Sequence, residues 1–208
     1  REPMPAGGFW RISPESLEKA IEWQNLYGGK VKWNDPVVYG RDWFYDGKDK
    51  YGYRLYDGAK AMIKNWTPTM THNLSVNGKS GKTSYNIGLG YLDQSGMSKT
   101  AKKDDFKRYN ASVSVTSEIN KYITVRASSI YSDRNKRYPG IGNTTADPWL
   151  YLYRWSPLMP MGVTENGNPL KEPTYEMAAA NTDNLQNKYY NINLGFTLNL
   201  TKNWDVKF

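Results

Sequence analysis

Trp149, Tyr151, Tyr153 and Trp155 occupy every second position of Asp147-Pro148-Trp149-Leu150-Tyr151-Leu152-Tyr153-Arg154-Trp155. Alternate residues of an extended chain share a side, so four aromatic rings would line one edge. Such rings have flat apolar faces and polar rims, on which sugar rings stack and hydrogen-bond. Packing of a long loop against its neighbours uses the same residue types and is the stronger of the two readings. Trp43 and Tyr45, in Asp42-Trp43-Phe44-Tyr45, and the rings of Tyr51-Gly52-Tyr53 are weighed in the same way.

Other chemistry-bearing residues give weaker signals. His72 is the single histidine. It shares parity with Leu74 and Val76, and interfacial packing explains it better than catalysis or metal binding. Gly81-Lys82-Thr83 imitates the tail of a phosphate-binding loop, but Val76 stands where the leading glycine belongs and a strand-turn-strand surrounds it. Asp104, Asp105, Asp133, Asp147 and Glu165 are scattered in expected loops, and no spacing marks an acid–base pair. Asp46-Gly47-Lys48-Asp49-Lys50 lacks the ligand order of a calcium loop. Lys99, Lys102, Lys103, Lys107 and Arg108 form a basic cluster interrupted by Asp104 and Asp105. Nucleic acid or anionic lipid would suit it, but a solvated loop is the simpler reading. The Asn-x-Ser/Thr matches at Asn65, Asn73, Asn110, Asn143 and Asn199 are by-products of Asn/Ser/Thr-rich strands. We expect no enzyme, no cofactor and no metal.

The elements that must position these residues are mostly strands. Thr71–Asn77, Tyr85–Tyr91, Tyr109–Thr116, Ile123–Tyr131 and Tyr190–Leu200 alternate polar and apolar residues, and Trp204–Phe208 begins a sixth run. The polar set is Asn, Ser, Thr and Gly with few charges, which suits a confined aqueous lumen. The apolar set is Val, Ile, Leu and Tyr, which suits lipid. The runs at 106–117, 122–131 and 189–200 have the length of membrane-spanning strands. Connections alternate between short (78–82, 118–121, 201–203) and long (93–105, 132–188), the loop layout of an outer-membrane barrel. Six strands are too few to close one. One helix is expected at 14–27, with Ser13 as cap, Pro14 in its first turn and Gly28-Gly29 as its stop. Its apolar face would carry Leu17, Ala20, Ile21 and Gln24, broadened by Trp23, Leu26 and Tyr27. A small hairpin is expected around Asp46-Gly47.

Composition narrows the classes. The 208 residues include 14% aromatics, too many for wholesale disorder. No apolar run is long enough for a transmembrane helix. The absence of cysteine excludes disulfides and thiolate chemistry. A net charge of +8 fits nucleic acid, an anionic membrane or an acidic ligand without choosing among them. The opening Arg1-Glu2-Pro3-Met4-Pro5 shows neither an initiator Met nor a signal peptide, so we expect an excerpt of something longer.

Thr71-His72-Asn73-Leu74-Ser75-Val76-Asn77-Gly78, followed by Thr83-Ser84-Tyr85-Asn86-Ile87-Gly88-Leu89-Gly90-Tyr91-Leu92-Asp93-Gln94-Ser95-Gly96, resembles paired strands of SusC/RagA-like TonB-linked outer-membrane transporters. Phe106–Asn110 resembles that family's next strand start, and Tyr138-Pro139 and Ser156–Pro160 its following external loop. The likeness covers about 66–208 and is poor over 1–65. It implies import of large nutrients, oligosaccharides foremost and peptides sometimes, across a bacterial outer membrane. It also implies a SusD-like surface lipoprotein and coupling to TonB through parts outside this chain.

The expectation is therefore all-β: antiparallel strands of an outer-membrane β-barrel with long external loops and one short helix near the N-terminus. Residues 1–70 would be a long external loop region, 71–131 four barrel strands, 132–188 a long external loop, and 189–208 a strand, a tight turn and the start of the next. Trp149, Tyr151, Tyr153, Trp155, Trp43 and Tyr45 are the candidate ligand contacts. The alternatives are a soluble β-sandwich that binds glycans and, less favoured, a basic nucleic-acid-binding module.

Overall fold

The computed structural model describes residues 10–140, 155–170, 172–201 and 204–208. The chain divides into two compact units. One draws on Arg1–Asn65, Met97–Lys102 and Pro139–Thr182, the other on Trp66–Gly96, Lys103–Tyr138 and Asp183–Phe208.

The first unit begins with β1 (Trp10–Arg11) and α1 (Pro14–Tyr27). Ser13 caps α1 by accepting from the Ser16 N–H, and Ser16 Oγ accepts in return from the Ser13 N–H at 2.8 Å. Pro14 fits the first turn, where no N–H is needed. The helix buries Ser16, Ala20 and Trp23, the Ala20–Trp23 side of the expected face and not its Leu17–Ile21 side. Trp23 turns it: its indole N–H donates to Asp42 Oδ1 at 2.9 Å, drawing that face inward. Leu17 and Ile21 remain more than half exposed.

The expected hairpin forms from β2 (Trp43–Tyr45) and β3 (Lys50–Gly52). Gly47, at φ +96°, makes its turn, and Asp46 Oδ1 accepts from the N–H groups of Lys48 and Asp49. β1 adds to β3 in parallel. Two short helices, α2 (Gly58–Met62) and α3 (Pro173–Ala179), complete the unit. Its core joins Val37, Trp43, Tyr56 and Met62 to Met161, Leu170 and Met177. The stretch read as an external loop region is thus a small folded unit built with residues from two later connections.

The second unit is a six-stranded antiparallel meander in chain order: β4 (Thr69–Ser80), β5 (Thr83–Ser95), β6 (Asp105–Glu118), β7 (Ile123–Gly140), β8 (Asn181–Thr201) and β9 (Trp204–Lys207). It is not closed into a barrel; β4 and β9 are its edges. Tight turns lie at one end. Gly81, at φ +57°, opens the two-residue β4–β5 loop. In the β6–β7 turn Asn120 Oδ1 accepts from the N–H groups of Tyr122 and Ile123. The long connections leave from the other end, called the far end below. β7 and β8 extend well into the stretch 132–188 that was expected to be loop. On β7 charged residues, and on β8 a mostly neutral polar run from Asn181 to Lys188, replace the polar–apolar alternation, so the period-two signal fades although the pairing continues on β7, as Arg137 bonding Asp105 across the strands illustrates.

Candidate functional site

Register sorts the sheet into two chemistries. Leu74, Leu89, Ala111 and Tyr131 align across four strands; Val76, Ile87 and Val113 align across three, with Ser129 next in their row, as do Tyr85, Val115 and Ala127. The intervening rows are Asn77–Asn86–Ser114–Ser128, Ser75–Gly88–Ser112–Ile130 and Asn73–Gly90–Asn110–Ser132. Cross-strand partners share a face, so one face is apolar and the other carries Asn, Ser and Gly, with Ile130 the exception in these rows. On β8, Ile192, Leu194 and Phe196 extend the apolar set, whereas Thr197 accepts from Arg126 on the polar face.

The apolar face is uncovered. Leu74, Leu89, Ile192 and Leu194 are 61, 51, 56 and 78% exposed, where a soluble sheet would bury them. The face has borders. At the far end His72, Tyr91 and Tyr109 form an aromatic row, with ring centroids 6.2 and 5.0 Å apart. Immediately beyond, the Tyr91 hydroxyl donates to Asp93, which pairs with Lys107 at 3.2 Å. At the turn end the row Ser80–Thr83–Ser117 is polar before it reaches Val125 on β7, and Tyr122 and Trp204 stand exposed. From Thr83 to Asp93 is ten residue steps along β5. At about 3.3 Å each the two borders lie about 33 Å apart along the strand, and the apolar residues between them, Tyr85 to Tyr91, span about 20 Å.

The candidate ligand aromatics fare differently. Trp43 is 5% exposed and packs edge-on against Trp10 and Tyr39. Tyr45 lies against the same core, its hydroxyl donating to the Gly47 carbonyl at 2.7 Å. Trp155 also packs there, its indole N–H donating to Met159 O. Packing accounts for all three. Trp149, Tyr151 and Tyr153 lie outside the described residues. His72 stacks on Tyr91, and Gly81-Lys82-Thr83 is a turn. The basic cluster disperses: Lys99 and Lys102 donate to the carbonyls of Lys60 and Ala179, and Lys107 pairs with Asp93. No grouping of three or more metal-ligating side chains occurs among the described residues.

Two features of the first unit escaped sequence reading. Asp42, fully buried, accepts from the Trp23 indole, the Val38 N–H, Arg41 and the buried Arg54. Burial pushes its carboxyl up, but the bonds from Arg41, Val38 and Trp23 outweigh it and hold the group below the usual range. A groove of about 400 Å³ runs beside α1, lined by Ile12, Leu17, Ile21, Leu55, Pro157 and Leu158. It would take an apolar group. Its walls come from three distant segments, so no single window of sequence displays it.

The chain matches no family model, and it has no match among curated proteins.

Proposed function

We propose that the chain is part of a TonB-dependent outer-membrane transporter that imports large nutrients, oligosaccharides foremost, by gated passage with a SusD-like surface lipoprotein. One observation carries the reading: an uncovered apolar sheet face set between polar borders, backed by a face of Asn, Ser and Gly; at the strand tilt of about 40° usual in outer-membrane barrels, the ten steps between those borders would stand about 25 Å tall, the height of such a barrel's lipid belt. Lipid is a solvent in which exposed Leu and Val cost nothing, and a closed barrel is how strands satisfy their backbone there. The strands would form part of the wall, with small polar side chains toward the water. The edges β4 and β9 would pair with further strands. The long connections, which all leave from one end of the sheet, would supply ligand and lipoprotein contacts. The mechanism is binding and passage, with no bond made or broken in the cargo.

The test is the location of the native gene product. Cells are fractionated and probed with an antibody to residues 132–188, before and after protease is added outside. The expected result is an outer-membrane polypeptide much larger than 23.9 kDa that external protease cuts within this stretch. A soluble product of that mass overturns the reading and returns the glycan-binding sandwich to the front.

A further inference from the structure

Three rows of the polar face at the far end are Thr69–Gln94–Phe106–Lys136, Thr71–Leu92–Arg108–Arg134 and Asn73–Gly90–Asn110–Ser132. Arg108 and Arg134 are direct partners on neighbouring strands, and Lys136 lies one row further out. None of these positions is acidic. Like charges directly opposite each other weaken a sheet, so this arrangement calls for a counter-charge.

The nearby carboxylates do not supply it. Asp93, Asp105 and Asp133 have the parity of the apolar face. There they engage Lys107 at 3.2 Å, Arg137 at 2.7 Å and Gln186 at 3.0 Å. Asp183, the one carboxylate of β8, is exposed. The Nε of Arg108 is enclosed and has no hydrogen-bond partner, so the sheet leaves that donor unsatisfied. Arg126, on the same face nearer the turns, differs in donating to Thr197 at 2.8 Å. Around the arginine pair the face carries Thr71, Asn73, Asn110 and Ser132, with Leu92 beside Arg108 and Phe106 one row out. Gly90 leaves room for the amides beside it, since a Cβ there would meet Asn73 Oδ1 at 3.2 Å.

We propose that Arg108 and Arg134, with Lys136 beside them, form a binding site for an oxyanion carried by a ligand: a carboxylate, a sulfate or a phosphate. Guanidinium presents a planar fork of donors that matches such groups two bonds at a time. Asn and Thr side chains alongside bond the neutral hydroxyls of the same ligand. The proposal rests on the polar face being the water-filled one, and on that reading it narrows the cargo to acidic molecules.

The test uses the full chain in detergent, with inorganic sulfate, inorganic phosphate and acetate as probes at constant ionic strength against chloride. The thermal midpoint is followed by circular dichroism. At least one oxyanion is expected to raise the midpoint in a saturable way, and which one identifies the group recognised. Arg108→Gln and Arg134→Gln should each weaken the apparent affinity at least about tenfold. Lys79→Gln, a charge removed elsewhere on this face, should leave it unchanged. In chloride alone Arg108→Gln should be no less stable than the parent, because an opposed charge is gone. Arg108→Lys keeps the charge but not the fork and should fall between. Equal response to chloride and oxyanions, or an equal loss in Lys79→Gln, overturns the site. Ser112→Cys and Val113→Cys, probed with a water-soluble maleimide, separate the two claims. Labelling of Ser112→Cys with no oxyanion effect removes this site alone. Labelling of Val113→Cys instead removes the reading of the faces.

Discussion

Asp42 organises the first unit through charge more than through apolar burial. It joins α1, through Trp23, to the segment around Val38 and to Arg54, whose guanidinium also donates to the carbonyls of Lys32, Trp33 and Asp35. Asp42→Asn keeps the shape but leaves Arg54 without its buried counter-charge. The expected loss is about 3–5 kcal/mol, read by urea unfolding followed through tryptophan fluorescence. Glu172 contributes with the opposite pH sign. Burial pushes its carboxyl above the ordinary 4.5, against the bonds it accepts from Thr174 and Tyr175. Between 4.5 and that raised value the folded chain holds more protons than the unfolded one, so stability falls as pH rises through this window. Glu172→Gln should flatten that slope in a pH series of unfolding curves; an unchanged slope would assign it to another group. Neither residue was legible in the sequence. Their partners lie far along the chain, and an isolated Asp or Glu reads as solvated. The aromatics at 43–45 show the same limit: alternation tells that Trp43 and Tyr45 share a side, but not that the core lies there.

The strands were the legible elements. Small polar and apolar residues alternate from 71 onward, and the register converts that alternation into two faces, with Val113 on one and Ser114 on the other. Val113→Arg should lower stability in bilayers by about 2–4 kcal/mol and impair assembly, while Ser114→Arg should be tolerated. Equal assembly of both would reverse or remove the faces. The outer reaches of β7 and β8 were not legible, because charge on β7 and a mostly neutral polar run on β8 overwrote the alternation there. On α1 the broad face that includes Ala20 and Trp23 was legible, but not which side of it is buried: one indole–carboxylate bond selects the Trp23 side over Leu17 and Ile21. The hairpin was read from its turn, but what presses on it was not. A Cβ on Gly52 would stand 1.6 Å from the Leu158 carbonyl oxygen, so Gly52→Ala must displace backbone. The expected loss is at least about 1–3 kcal/mol, measured as a drop in the unfolding midpoint of the full chain.

At the scale of the whole molecule, the described residues among the first 65 and in the two long connections make one compact unit, while the strands make an open sheet. The first unit is irregular, and its core gathers Val37, Trp43, Tyr56 and Met62 with Met161, Leu170 and Met177. No periodicity announces contacts between segments a hundred residues apart, so the sequence displayed turns and aromatics and concealed the unit. The sheet raises the larger question of what solvent its apolar face meets. The most direct measurement is a nitroxide scan from Tyr109 to Thr116 of the cell-produced protein reconstituted in bilayers. Each site carries a single introduced cysteine, which the cysteine-free chain permits. Tyr109, Ala111, Val113 and Val115 should collide preferentially with oxygen, and Asn110, Ser112, Ser114 and Thr116 with a water-soluble nickel chelate, in strict alternation. If the apolar set is shielded from both reagents, that face is buried against protein, and the lipid-facing wall is contradicted.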